Sequence, residues 1–118
     1  EKFIAIKPFA SRFEWEVHIL PLSHQADFLA INDTDLTDLA AVLKRTMARL
    51  EAVIGGAQYN YFLHSVPHDE HTGEHAASYH WHLEIMPKLT QVAGFEVGSG
   101  FYINSTPPEM AAELLRKA

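Results

Sequence analysis

The sequence predicts an α+β domain, a mainly antiparallel sheet with one long helix across a face and a short helix near the C-terminal end. Three observations carry that expectation. Short strand-like runs recur at 3–6, 14–20, 59–64 and 79–87, and 14–20 and 79–87 alternate with period two, the spacing at which side chains point to the two faces of a strand in turn. Leu36, Leu39, Ala40, Leu43, Met47, Leu50 and Ile54 recur instead at helical spacing. The order is strand, strand, helix, strand, strand, irregular strand, helix, which lacks the regular strand–helix alternation of a parallel sheet. At 118 residues, 1–118 reads as one domain, long enough for a single core.

In order, Phe3 to Ile6 form an apolar strand ended by Lys7 and Pro8, and 8–13 reads as a turn. Trp15, Val17 and Ile19 share one face of the second strand, with Glu14, Glu16 and His18 on the other, and Pro21 ends it. The first two strands are close enough in sequence to pair antiparallel. A connection containing His24 leads to the long helix, for which Asp33 or Thr34 can supply the N-cap, with Asp35 and Asp38 suiting the positive end of its dipole. Gly55 and Gly56 stop it. Residues 59–64 form an aromatic strand ending at His64, and 65–78 is polar, without periodicity, and reads as a loop. Residues 93–104 interleave glycine with apolar residues and read as an irregular strand or a loop. Thr106, Pro107, Pro108 and Glu109 have the form of a capping box, with proline at the first position of the last helix. Trp15, Val17, Ile19, Tyr61, Leu63, Trp81, Leu83 and Ile85 are expected to meet the helix stripe as the core.

Composition narrows the chemistry. Without cysteine, the chain has neither disulfides nor thiolate metal ligands, and any metal falls to imidazole and carboxylate. The same absence suits a cytoplasmic protein. A net charge of −6 and the lack of a basic stripe argue against nucleic acid and anionic membrane as partners. No apolar run is long enough to span a bilayer and no signal-peptide pattern is present. The chain opens on Glu1 almost directly before a strand, which reads as a piece of a longer polypeptide.

Folding alone does not account for the stretch around His80, Trp81, His82, Leu83 and Glu84. On a strand, His80, His82 and Glu84 share one face and Trp81, Leu83 and Ile85 the other. Two such histidines, joined by His64 from a neighbouring strand, can converge on zinc or iron(II), which accept neutral imidazole and take a carboxylate as a further ligand. Glu84, Asp69 and Glu70 are the candidate carboxylates. The spacing equally allows an imidazole nucleophile or acid–base group, or a set of surface histidines. His18, His68, His71 and His75 read as solvated or supporting residues, and His24 as a pin for its loop.

Several blocks in a fixed order resemble one family. Pro21-Leu22-Ser23-His24, the long helix, Phe62 to Pro67 with His64, His80-Trp81-His82-Leu83-Glu84, and the glycine-interleaved stretch from Ala93 to Asn104 together resemble the C-terminal domain of galactose-1-phosphate uridylyltransferase, of the histidine-triad superfamily. The resemblance covers nearly the whole chain. It implies a small antiparallel sheet with helices in a chain that, with an N-terminal catalytic domain, exchanges uridylyl groups between UDP-glucose and galactose-1-phosphate. It implies a largely structural zinc or iron site with His64, His80 and His82 as ligands and a carboxylate from the other domain. It implies sugar-phosphate contacts in a partner subunit's active site through Phe95 and Val97, with Gly94 and Gly98 allowing close approach, and hence a homodimer. The family's nucleophile lies in a His-Pro-His motif that this chain lacks, so the resemblance implies no catalytic residue here and an inactive isolated domain. Ser99 and Gly100 depart from the Tyr-Glu of the galactose enzymes, which leaves the UDP-hexose and hexose-1-phosphate unspecified. Two alternatives stand beside this: a stand-alone histidine-triad nucleotide hydrolase using His80 or His82, against which Glu84 stands in place of a third histidine, and a non-enzymatic metal-binding module.

Overall fold

In the computed structural model, which describes residues 2–69 and 71–118, four strands form one antiparallel sheet in the order β1-β2-β4-β3. The strands are β1 (Phe3–Ile6), β2 (Val17–Pro21), β3 (Gln58–His64) and β4 (His82–Lys88), and the helices are α1 (Asp33–Ile54), α2 (Thr72–Ala76), α3 (Gly94–Ser99) and α4 (Pro108–Lys117). This is the α+β class the sequence predicts.

Both strands that carry the expected alternation are shorter at their entry than the apolar pattern suggests. β2 starts at Val17 because Glu16 turns inward and accepts the backbone N–H groups of Arg12 (2.8 Å) and Phe13 (3.2 Å), closing the preceding turn. β4 starts at His82 because the Trp81 N–H bonds Gln25 O (2.9 Å) and its indole Nε1–H bonds Gln25 Oε1 (3.1 Å), tying 80–81 to the connection before α1. Trp15 and Trp81 stay buried all the same, since a ladder hydrogen bond is not required for an apolar ring to face the core. Trp81, Ile19 and Ile85 are the largest fully buried side chains, each contributing about 2–3 kcal/mol by removal from water.

The long helix is capped one residue earlier than expected. Asn32, not Asp33 or Thr34, is the N-cap, its Oδ1 accepting the Asp35 N–H (2.9 Å). Gly55, at φ +44°, closes the other end through its N–H to Glu51 O. The buried face runs through Asp35, Leu39, Val42, Thr46 and Leu50, while Leu36 and Ala40 are exposed. The apolar stripe is therefore rotated from the expected one: Val42 and Thr46 face the core, and Asp35 is buried because it accepts the Lys2 ammonium and the Asn32 amide. α1 packs mainly on β1 and α4, leaving much of the inner face of β3 exposed. Tyr61 (66 % exposed) and Leu63 (44 %) thus lie outside the core expected for them.

Two further expectations change. Residues 65–78 contain the short helix α2. Within the stretch expected to be an irregular strand or loop, Gly94–Ser99 instead form α3, where the Glu96 carboxylate accepts the Ala93 N–H (3.1 Å) and Gly100, at φ +74°, ends the turn, while 100–104 is irregular as expected. In α4 proline does occupy the first position, but the capping box is not made: Pro107 precedes the helix without a side-chain cap, and the Thr106 N–H is bound to Asn104 Oδ1. No helix among the described residues is long and apolar enough to cross a membrane.

Candidate metal centre

The outer face of the sheet is organised by register. Paired residues on neighbouring antiparallel strands share a face, so the pairings His18↔Glu84, Phe62↔Glu84 and His64↔His82 gather His18, His64, His82 and Glu84 from three adjacent strands. Glu84 is the hub. Although only 8 % exposed, it has His18 Nε2 (3.6 Å) and His82 Nε2 (3.4 Å) beside Oε1, and His64 Nε2 (3.5 Å) and the Arg12 guanidinium (2.8 Å) beside Oε2. The His82 ring stacks on both neighbours, 4.8 Å from His64 and 5.6 Å from His18 between centroids.

Two hydrogen bonds orient the imidazoles. His82 Nδ1–H donates to His80 O (3.1 Å), which holds its Nε2 toward Glu84 Oε1. His18 Nε2–H donates to Glu16 Oε1 (2.8 Å). Burial pushes the Glu16 carboxyl up, but the hydrogen bonds from His18, Phe13 and Arg12 outweigh it and hold the group below the usual carboxylate range.

One ligand atom each from His18, His82 and Glu84 lie within 4.8 Å of one another, a spacing suited to a divalent cation. His64 adjoins this group. His80, also expected as a ligand, is oriented elsewhere: its Nε2–H donates to Pro21 O (2.8 Å) and its ring packs edge-on against His24. His24 pins its connection as expected, donating from Nε2 to Ala76 O (3.1 Å). Of the loop carboxylates, Asp69 accepts the His71 N–H within its own turn, and Glu70 lies outside the described residues. His68 bonds Asp27, whose carboxyl lies below its usual range mainly through the Leu29 N–H. Gly94, Phe95, Val97 and Gly98 sit together on α3, with Phe95 and Val97 well exposed.

The sequence places His18 on the polar face of the sheet with His64, His80, His82 and Glu84, in a supporting role, but does not show Glu16 and Arg12 as partners of that face. A signal for Glu16 was its alternation with His18 on β2.

No protein-family model matches the chain. It is 34 % identical over 115 residues to ADP-glucose phosphorylase of Arabidopsis thaliana, matching 98 % of this chain and 32 % of that protein. It is 32 % identical over 124 residues to galactose-1-phosphate uridylyltransferase of Thermotoga maritima, matching 99 % of this chain and 38 % of that one. The chain thus spans about a third of the length of the curated relatives it matches. Its fold superimposes on the crystal structure of the Arabidopsis ADP-glucose phosphorylase with bound ADP-glucose at a TM-score of 0.92 and 32 % identity, over 100 % of this chain and 38 % of that one. A uridylyltransferase structure gives 0.84 at 30 % identity, over 99 % and 38 %. A zinc-bound histidine-triad protein from Mycobacterium smegmatis gives 0.63 at 19 % identity, over 99 % and 77 %, a likeness of fold alone.

Proposed function

From a chain whose homologues, matched along nearly its whole length, are galactose-1-phosphate uridylyltransferase-like proteins, we propose a function in nucleotidyl exchange on sugar phosphates. The observation that carries this reading is the 34 % identity to an ADP-glucose phosphorylase across 98 % of the chain. The reaction moves a nucleoside monophosphate from a nucleotide sugar to a phosphate acceptor and releases the sugar 1-phosphate. With UDP-glucose and galactose-1-phosphate the products are glucose-1-phosphate and UDP-galactose; with ADP-glucose and inorganic phosphate they are glucose-1-phosphate and ADP.

In this reading the chain is one domain of a longer enzyme and supplies no nucleophile. That group belongs to a catalytic domain N-terminal to it, and the isolated 118 residues are inactive. Gly94, Phe95, Val97 and Gly98 contact the sugar phosphate in a partner subunit of a homodimer. The exposure of Phe95 and Val97 supports this, because apolar side chains on a short outward helix are available to a second surface. Zinc or iron(II) suits the imidazole and carboxylate donors of the sheet face, where it stabilises the fold. His64 and His82 fit such a site, whereas His80 is bound to Pro21 O.

The test is release of glucose-1-phosphate by the full-length protein, supplied with UDP-glucose and galactose-1-phosphate or with ADP-glucose and phosphate. Release from either pair supports the reading and names the substrate; release from neither refutes it. One observation favours a second reading as a histidine-triad hydrolase, namely that the bond from His82 Nδ1 to His80 O orients the imidazole, as a nucleophilic histidine needs, with Nε2 beside Glu84. That reading requires a labelled nucleotidyl adduct on this chain that disappears in His82→Ala.

A further inference from the structure

We infer that Asn104 is the positioning residue of the arm that carries α3: by clamping this arm to the turn before β2, it fixes where Phe95 and Val97 are presented. The inference rests on the functional reading for what the arm meets. The clamp itself comes from the geometry.

The connection from the end of β4 to α4, residues 89–107, is exposed along almost all of its length, and only Glu96, Asn104 and Thr106 in it are half-buried. Phe95 and Val97 stand on its outward helical turn. That turn is closed on itself, since Glu96 accepts the Ala93 N–H and Ser99 Oγ–H donates to Phe95 O (2.6 Å). Among the described residues, the hydrogen bonds that run from 89–105 to the sheet and its turns all come from Asn104 and Ser105, the latter to Glu14. Tyr102 adds an edge-on ring contact with Phe13, 5.7 Å between centroids. A helix of six residues is marginal in water by itself, so the direction it faces is set by its anchor.

Asn104 has the chemistry of such an anchor. Its Nδ2 donates to Ser11 O (3.2 Å) and Phe13 O (3.5 Å), and its Oδ1 accepts the Thr106 N–H (3.0 Å). The reverse placement of the amide would set its oxygen against two carbonyls, so the orientation is determined by the partners. A carboxylate at this position would lack the donor. The receiving carbonyls are themselves fixed. Glu16 accepts the N–H groups of Arg12 and Phe13, the Lys7 ammonium bonds Ser11 Oγ and Phe13 O, and Ser11 Oγ–H donates to Pro8 O. A braced turn beneath an exposed arm holds the contact surface in one geometry. An arm that leaves the turn part of the time offers that surface only for the remaining fraction, and apparent affinity falls in proportion.

The experiment is steady-state kinetics of the full-length protein with its nucleotide sugar, ADP-glucose or UDP-glucose. Chymotryptic cleavage after Phe101 and Tyr102, followed by mass spectrometry, gives a readout independent of activity. Asn104→Asp keeps the acceptor for Thr106 and loses the donor. That variant and Asn104→Ala should each raise KM for the nucleotide sugar by about 10-fold or more with kcat little changed. Cleavage should be faster by about 10-fold or more. Asn104→Gln keeps both amide groups and should recover part of the loss. Asn32→Ala removes the remote α1 cap and controls for general destabilisation, so neither KM nor cleavage at these two sites should move. Unchanged KM or unchanged cleavage in Asn104→Asp, or an equal rise of KM in Asn32→Ala, would overturn the inference. Absence of nucleotidyl exchange in the unaltered protein counts against the functional reading alone, and the cleavage rate then decides the clamp.

Discussion

Glu16→Gln isolates the carboxylate that closes the turn before β2. Glu16 is 3 % exposed, with Oε2 accepting two backbone N–H groups and Oε1 the His18 ring. Glutamine keeps one oxygen for the backbone pair, loses its charge, and turns an amide toward His18. A hydrogen bond to a charged group contributes about 1.5–3 kcal/mol, and a neutral one about 0.5–1.5 kcal/mol. Weakening two such bonds and disturbing the third should therefore cost about 2–3 kcal/mol at neutral pH, a fall in Tm of about 8–12 °C for a domain of this size. The cost should depend on pH with a definite sign. The folded-state pKa of Glu16 lies below its ordinary 4.5, so its contribution is fully present above that value and is lost as pH falls through the folded pKa. Urea denaturation of both proteins at pH 7 and at pH 3 measures this. Equal destabilisation at the two pH values, or a cost at pH 7 within experimental error, would show that Glu16 does not hold the turn as an ionised acceptor.

Trp81→Ala should destabilise by about 3–5 kcal/mol, because the ring is fully buried and its indole N–H is bound to Gln25; calorimetry measures the loss, and none is expected to be recovered by added metal. Asn32→Ala should cost about 1 kcal/mol in denaturant titration by removing the α1 cap, while Thr34→Ala at an exposed position should cost little. Lys7 is half-buried and its amine is lowered to about 8, chiefly by desolvation, so at pH 8 a limiting dose of acetic anhydride should label it ahead of Lys44 and Lys88 by peptide mass spectrometry.

Periodicity made much of this fold legible. The alternation of Trp81, Leu83 and Ile85 with His82 and Glu84 correctly placed the first three in the core and the last two together on the outer face. Helical spacing located α1 to within a residue or two, but its facing was displaced because Thr46 and Asp35 read as polar and are nevertheless buried. Apolar character misled in the other direction at Tyr61 and Leu63, which have the pattern of core residues on a strand whose inner face α1 leaves largely exposed. In α3, glycine between apolar residues suggested extended chain; six residues closed by a left-handed Gly100 are too short for a helical period to declare itself.

The donors on the outer face divide in the same way. From the sequence alone came the chemistry: histidine and glutamate without cysteine, on a strand, with His64 ahead of them, in a chain resembling nucleotidyl-transfer enzymes. Only the tertiary structure decided which of these donors meet. His18 and Glu84 are 66 positions apart and read as a supporting residue and a candidate carboxylate of one polar face; that β2 and β4 pair them directly is a matter of register. His80 and His82 are two apart, yet the bonds from Trp81 to Gln25 and from His80 to Pro21 draw His80 away from the ladder. Period-two spacing is a local property that holds only while the strand continues. Cross-strand register is set by the packing of the whole sheet, which a linear pattern does not contain.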